Sequence, residues 1–262
     1  MKYLFNEWDI IKNKIKDKYL FIFLDFDGTL TPITDTPDKA QLSKKTKALL
    51  EEIAGNSRIK LAFISGRAIG DIKNKIGLKN AIYAGNHGLE IEGPRMKFKP
   101  LVPAGFRKIL KKIKDNLKTN TASFRGVLIE DKGSSLSLHY RLVDRSKIPQ
   151  IKRIFHQTVI SYLASNKIKI KSGKMVLETR PPIEWDKGRA VLRLLIRQIF
   201  VSGKDNVLPI YIGDDIADED AFKVLKNKGL TVFVGAPKKS YAQYYLKDPK
   251  EAIHFLRSLP AI

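Results

Sequence analysis

The 262-residue chain has no cysteine and sets 49 lysines and arginines against 27 aspartates and glutamates, a formal charge of +22. At 43% hydrophobic and 29% charged it can bury one large core or two small ones, which excludes a disordered chain. The lack of thiols excludes a disulfide framework, a zinc-cysteine site and a cysteine nucleophile.

Residues 1–19 alternate lysines with Leu4, Phe5, Trp8, Ile11 and Ile15, predicting an amphipathic helix rather than a signal peptide. The longest apolar runs, 19–24 and 207–212, are too short to cross a bilayer, so a cytoplasmic monomer with no membrane partner is expected. Apolar and amphipathic stretches then alternate: a strand at 19–24, a helix at 43–54, a strand at 59–64, a helix at 69–76 and a strand at 81–84. The same rhythm returns with a helix at 187–200, a strand at 207–212, a helix at 218–225 and a strand at 230–234. Alternation of this kind predicts a parallel sheet.

Residues 106–179 read differently. They suggest a helix, two strands facing each other across 130–135, a helix at 148–164, and strands at 167–170 and 175–178. Leu136, Leu138 and Tyr140 alternate as on a half-buried antiparallel strand. The expected fold is α/β: a Rossmann-like parallel-sheet core of residues 1–102 and 183–262, interrupted by an α+β domain at 103–182. Residues 105–180 hold 18 lysines and arginines against 5 acids, more than half of the charge excess. A basic surface admits nucleic acid as a partner. No helix-turn-helix, zinc-finger or aromatic RNA-binding signature accompanies it, so a solvated surface that steers small anions is expected instead.

Four segments carry chemistry. Asp25 and Asp27 leave the end of a buried strand on the same side and are followed by Gly28 and Thr29. Paired carboxylates there are electrostatically costly without a cation or a shared proton. Ligands bind at this edge of a parallel sheet. At 63–67, Phe-Ile-Ser-Gly-Arg ends the next strand, with the hydroxyl of Ser65 before a helix N-terminus. Lys187 opens a helix, where its charge opposes the helix dipole unless it faces an anion. Finally Asp214, Asp215, Asp218, Glu219 and Asp220 crowd a helix start in a basic chain, which suits a hard cation such as Mg²⁺.

Together these segments resemble the ordered motifs of the haloacid dehalogenase superfamily of phosphotransferases. Longer stretches, LDFDGTLTPI at 24–33, AGNHGLE at 84–90, LIEDKGSSLSLHYR at 128–141 and SGKMVLETRPPIEWDKGRA at 172–190, are similar to the trehalose-6-phosphate phosphatases, which carry a type-two α+β cap. The resemblance implies Mg²⁺-dependent hydrolysis of trehalose 6-phosphate, a small-molecule sugar phosphate, through an aspartyl-phosphate. It implies Asp25 as nucleophile, Asp27 as acid and base, and Ser65 and Lys187 on the phosphoryl group. The metal would lie on Asp25, the Asp27 backbone carbonyl and Asp214, with Asp215 and Asp218 in support. Glu130, Lys132, Lys174 and Glu178 would read the sugar, and strand alternation puts Lys174 and Glu178 on one face. The structural alternative for those four is a cross-strand ladder of ion pairs. Arg67, Asn86 and His87 are expected near the phosphate, and His139 and Arg141 in the cap interior or rim. A basic cap would close like a lid, with hinges at 100–103 and 180–182. Other capped phosphatases, acting on sucrose phosphate, mannosylphosphoglycerate or a hexose phosphate, remain alternatives, as does a nucleic-acid-binding protein on this fold.

Overall fold

The computed structural model describes residues 1–203 and 206–259. Its first unit comprises Met1–Lys99 and Trp185–Ile262. In chain order the unit runs β1 (Lys2–Tyr3), α1 (Trp8–Ile15), β2 (Tyr19–Leu24), α2 (Lys44–Gly55), β3 (Ile59–Ile64), α3 (Ile69–Ile76), β4 (Ile82–Gly85), β5 (Glu90–Gly93) and β6 (Met96–Phe98). The second unit, Pro100–Glu184, contains α4 (Phe106–Thr121), β7 (Leu128–Asp131), β8 (Leu136–His139), α5 (Ile148–Ala164), β9 (Lys169–Gly173) and β10 (Val176–Arg180). The chain then completes the first unit with α6 (Lys187–Ser202), β11 (Val207–Gly213), α7 (Glu219–Leu225), β12 (Leu230–Val234), β13 (Tyr244–Leu246) and α8 (Pro249–Ser258).

Strands of the first unit form a nine-stranded sheet in the order β1-β13-β12-β11-β2-β3-β4-β5-β6. Pairing is parallel from β1 to β4, while β5 and β6 add an antiparallel edge. Strand alternation divides the core between the two faces. Leu20, Ile22 and Leu24 of β2 pack with α1, α2, α3 and α8 through residues such as Ile11, Leu50, Ile72 and Phe255. Phe21 and Phe23 pack on the other face with Leu194 of α6 and Phe222 of α7. Both faces of β2 are therefore dry, which explains why it reads as an unbroken apolar run.

The order reverses around β2: β3 and β4 follow it on one side, and β11, β12 and β13 lie on the other. Register aligns Leu24 with Phe63 and Ile212, and Ile64 with Ala84. The carboxyl ends of β11, β2, β3 and β4 therefore deliver Asp214, Asp25, Ser65 and Asn86 to neighbouring positions on one sheet edge. Such a switch point is where open α/β sheets bind ligands.

The second unit has an antiparallel sheet in the order β7-β8-β10-β9. Leu136, Leu138 and Leu177 face a core built with Leu110, Ile113 and Leu117 of α4 and Ile151, Phe155 and Val159 of α5. The alternate residues Glu130, Ser137 and Glu178 are paired side by side across β7, β8 and β10, with Lys171 of β9 opposite Glu178. One face of this sheet is thus apolar and the other charged.

Three expectations need correction. Residues 1–19 do not form a single helix. Lys2 and Tyr3 pair with Tyr244 and Tyr245, a 3₁₀ turn follows, and the helix begins at Trp8. Tyr3 packs against Tyr245 and donates to Glu251 Oε1 at 2.9 Å, contacts more than 240 residues away that outweigh local helical pattern. The hairpin β5–β6, strand β13 and helix α8 were also unforeseen, although Asp248 before Pro249, capping the Glu251 N–H, is a readable helix start. Lys174 does not share a strand face with Glu178: it lies in the turn between β9 and β10, where Met175 has φ +65°. Alternation stops at such a turn.

Candidate active site

Asp25, the first residue beyond β2, is 5% exposed. Its Oδ1 accepts from Lys187 Nζ at 2.6 Å, and the Thr29 hydroxyl lies 3.5 Å from Oδ2. Lys187 is the first residue of α6, and its ammonium also donates to Asp218 Oδ1 at 2.7 Å. Its charge faces buried carboxylates, which accounts for a lysine at a helix N-terminus. Burial alone would lower the Lys187 pKa, but Asp218 and Asp25 outweigh it and the group is held as an ammonium.

Asp218 is fully buried and acts as a hub. Its Oδ1 accepts from Lys187 and from the Tyr211 hydroxyl at 2.6 Å, and its Oδ2 accepts the N–H groups of Asp214 and Asp215 at 3.0 and 2.9 Å. Burial disfavours its charge, yet Lys187, Tyr211 and the amides together hold its carboxyl below the usual range. Asp25 is different. Burial pushes its carboxyl well above the usual range; Lys187 opposes this, while Asp218 and Asp214 add to it.

Among the described residues, the acids that bring ligand atoms within 4.8 Å of one another are Asp25, Asp214 and Asp218, all buried. Three carboxylates stand close together, two of them bonded to one ammonium, and hard oxygen donors of this kind suit a divalent cation. Gly28 shapes the same place. It has φ +90°, and a Cβ there would lie 2.1 Å from Asp214 Oδ2. The residues present therefore fit a small hard cation.

The side chains of the other acids in these motifs have other partners. The carboxylate of Asp215 accepts from Ile216 N–H at 2.7 Å and caps the 3₁₀ turn that precedes α7. Glu219 accepts from the Tyr241 N–H at 2.9 Å. Asp27 is held by a two-pronged contact with Arg67, Nε to Oδ2 and Nη2 to Oδ1, each at 2.7 Å. Arg67 also donates to Asp71 Oδ2 at 2.7 Å and to the Pro37 carbonyl at 2.8 Å, and stacks over the Phe26 ring. Burial would weaken its charge, but Asp27 and Asp71 more than offset this. A guanidinium so engaged, and only 5% exposed, is placed to orient Asp27 rather than to meet a ligand directly.

Ser65 is buried beside this group, and its Oγ accepts the Arg67 N–H at 3.2 Å. The Asn86–Gly88 turn is laced to the same loop, with Asn86 N–H on the Arg67 carbonyl at 2.7 Å and His87 N–H on the Ser65 carbonyl at 2.8 Å. Asn86 and His87 both have positive φ, +51° and +57°, a costly conformation for such residues that the lacing maintains. Gly66 makes room for the imidazole, since a Cβ there would lie 2.6 Å from His87 Nε2.

In the second unit Glu178, 4% exposed, accepts from Ser135 Oγ at 2.8 Å, Lys132 Nζ at 3.3 Å and Arg180 Nε at 2.5 Å. Glu130 meets His139 Nε2 at 2.8 Å, and Arg141 donates to the Lys174 carbonyl at 2.9 Å. Glu130, Lys132 and Glu178 are thus gathered on the charged sheet face, and Lys174 lies in the turn between β9 and β10. The sequence reading missed Thr29, Asp71, Tyr211 and Arg180 as contributors. Thr29 had a signal in its place after Asp-x-Asp-Gly; the others act through side chains supplied by distant or neighbouring elements.

A family model described as "Trehalose-phosphatase" matches residues 23–250. The chain is 36% identical over 268 residues to "Trehalose-phosphate phosphatase B" of Arabidopsis thaliana, covering 97% of this chain and 70% of that protein. It is 37% identical over 267 residues to "Probable trehalose-phosphate phosphatase 3" of Oryza sativa subsp. japonica, covering 94% and 71%. Among solved structures, the C-terminal domain of a trehalose-6-phosphate phosphatase from C. albicans shares the fold with a TM-score of 0.82 at 24% identity, covering 97% of this chain and 96% of that one. A haloacid dehalogenase-like hydrolase from Bacteroides thetaiotaomicron aligns with a TM-score of 0.64 at 18% identity, covering 93% and 99%.

Proposed function

The chain belongs to the trehalose-phosphatase family, and on that premise we infer that it hydrolyses trehalose 6-phosphate to trehalose and inorganic phosphate. The observation that carries the chemistry is the convergence of Asp25, Asp214 and Asp218 at one sheet edge, with the Lys187 ammonium bonded to Asp25 and Asp218.

Asp25 attacks phosphorus, forming an aspartyl-phosphate as the bond to the sugar oxygen breaks. Asp27 leaves its ion pair with Arg67, takes up a proton from solvent and gives it to that departing oxygen. It then takes a proton from the water that attacks the aspartyl-phosphate, and phosphate leaves with the Asp25 carboxylate restored. Lys187 and Ser65 hold phosphoryl oxygens in line for both displacements. Asp25, Asp214 and the Asp27 backbone carbonyl would hold Mg²⁺, with Asp218 behind them. When bound, Mg²⁺ supplies positive charge against the phosphoryl oxygens and relieves the repulsion among the three acids. Residues 1–102 and 183–262 act as the catalytic core. Residues 103–182 act as the substrate-reading cap, in which Glu130, Lys132, Lys174 and Glu178 address the sugar hydroxyls, while Asn86 and His87 support the phosphate end. The charged face of the second sheet favours this reading, because a polyhydroxylated sugar requires fixed donors and acceptors.

Phosphate release from trehalose 6-phosphate, sucrose phosphate, mannosylphosphoglycerate and hexose phosphates, with and without Mg²⁺, tests the assignment. Turnover should be greatest on trehalose 6-phosphate and should need the cation. Preference for another ester would replace the substrate, and no turnover on any of them would refute the function.

A further inference from the structure

Tyr211 sits in the middle of β11, fully buried between Phe23, stacked with ring centroids 6.4 Å apart, and Phe222, edge-on at 5.6 Å. Phenylalanine would fill the same aromatic space, and a phenol in a dry core carries a desolvation cost unless its hydroxyl finds a partner. Here the hydroxyl donates to Asp218 Oδ1 at 2.6 Å, the same oxygen that accepts from Lys187 at 2.7 Å. The other oxygen, Oδ2, is taken by two backbone amides. With those four donors the carboxylate is saturated, and with the rings fixing the phenol, the hydroxyl has one place to point.

That saturation bears on Lys187. Among the described residues its partners are Asp25 Oδ1 at 2.6 Å and Asp218 Oδ1 at 2.7 Å, and an ammonium has a third N–H to offer. A fully buried carboxylate lacking the phenol would concentrate its charge on the lysine and draw it away from Asp25, because electrostatic pairing strengthens where water is excluded.

We propose that Tyr211 is a positioning residue for phosphoryl transfer, its hydroxyl acting through Asp218 to keep the Lys187 ammonium shared with Asp25 and directed at the phosphoryl group. This rests on Asp25 being the nucleophile. It assigns a role to the hydroxyl rather than to the ring, so Tyr211→Phe separates the two. With saturating Mg²⁺, kcat should fall about tenfold on both trehalose 6-phosphate and p-nitrophenyl phosphate, the size usual for losing a partner one step behind a catalytic group. KM should change less than about twofold, and inhibition by vanadate, which mimics the five-coordinate phosphorus, should weaken by the same factor as kcat. Mg²⁺ affinity by calorimetry should be unchanged, while the melting temperature should fall by a few degrees because the buried carboxylate loses a donor. In a cycle with Asp218→Asn, the double variant should be no slower than Asp218→Asn alone.

Unchanged kcat, additive losses in the cycle, or a loss accounted for by weaker Mg²⁺ binding would each overturn the proposal. A wild-type chain inert on trehalose 6-phosphate but active on p-nitrophenyl phosphate would refute the substrate assignment alone and leave this test standing on the aryl ester.

Discussion

Asp25 carries an electrostatic conflict. The proposed nucleophile must be ionised to attack, yet burial, with Asp218 and Asp214 close by, pushes this carboxyl well above its usual range despite Lys187. In the metal-free protein the sign of the linkage follows: a carboxyl whose folded pKa is raised stabilises the fold at low pH and loses that contribution as pH rises through the folded value. Asp25→Asn removes the charge without changing shape. The variant should be inactive yet melt higher than metal-free wild type at neutral pH, by about 2 °C or more for 1 kcal/mol in a protein of this size. The gap should close toward pH 4, where the wild-type carboxyl is protonated, and narrow when Mg²⁺ is added to wild type. Differential scanning fluorimetry across pH, with and without Mg²⁺, reads both effects; an Asp25→Asn variant that melts lower at every pH would contradict the account. Asp25 and Lys187 were legible in the sequence because each breaks a local rule, a charge leaving a buried strand and a lysine at a helix start. Tyr211 breaks none, since a tyrosine between isoleucines reads as ordinary strand core, and its meaning comes from Asp218, which only the fold brings to it.

Among the elements, the loop that leaves β2 does most to shape the site. Gly28 N–H bonds the Thr31 carbonyl at 2.7 Å, and the Phe26 carbonyl accepts from Leu30 and Thr31, turning the chain sharply over the carboxylates. Gly28→Ala meets two independent obstacles, a positive φ of +90° and Asp214 Oδ2 2.1 Å from the new Cβ. The conformation alone costs about 1–2 kcal/mol, and the collision falls on a proposed metal ligand. The variant should lose stability by at least that amount in urea titration, and its activity should recover only partly at raised Mg²⁺. Wild-type stability together with wild-type metal dependence would show that the loop relaxes freely. Six-residue strands that are wholly or almost wholly apolar, such as β2 and β3, had bounds readable from sequence because both faces are largely buried. The two- and three-residue strands β1, β6 and β13 were not, because strands so short carry no period and exist only through their pairing partners.

For the molecule as a whole, a charge of +22 must act on any dianionic ester that approaches. Long-range attraction raises the encounter rate and is screened by salt, with a Debye length of about 30 Å at 0.01 M and about 3 Å at 1 M. If steering operates, kcat/KM for the sugar phosphate should fall about tenfold between ~0.01 M and ~0.5 M sodium chloride, while kcat, which begins from bound ester, stays nearly constant. Chloride occupying the phosphate site would also raise KM, so a second measurement separates the two. Near pH 5 the ester is mostly a monoanion, its second pKa being about 6, and steering then predicts a shallower dependence on ionic strength. The protein cannot produce that change, because acidification only adds protons to it and makes it more positive. A slope equal at both pH values would assign the salt effect to anion competition and leave the charge without a role in encounter.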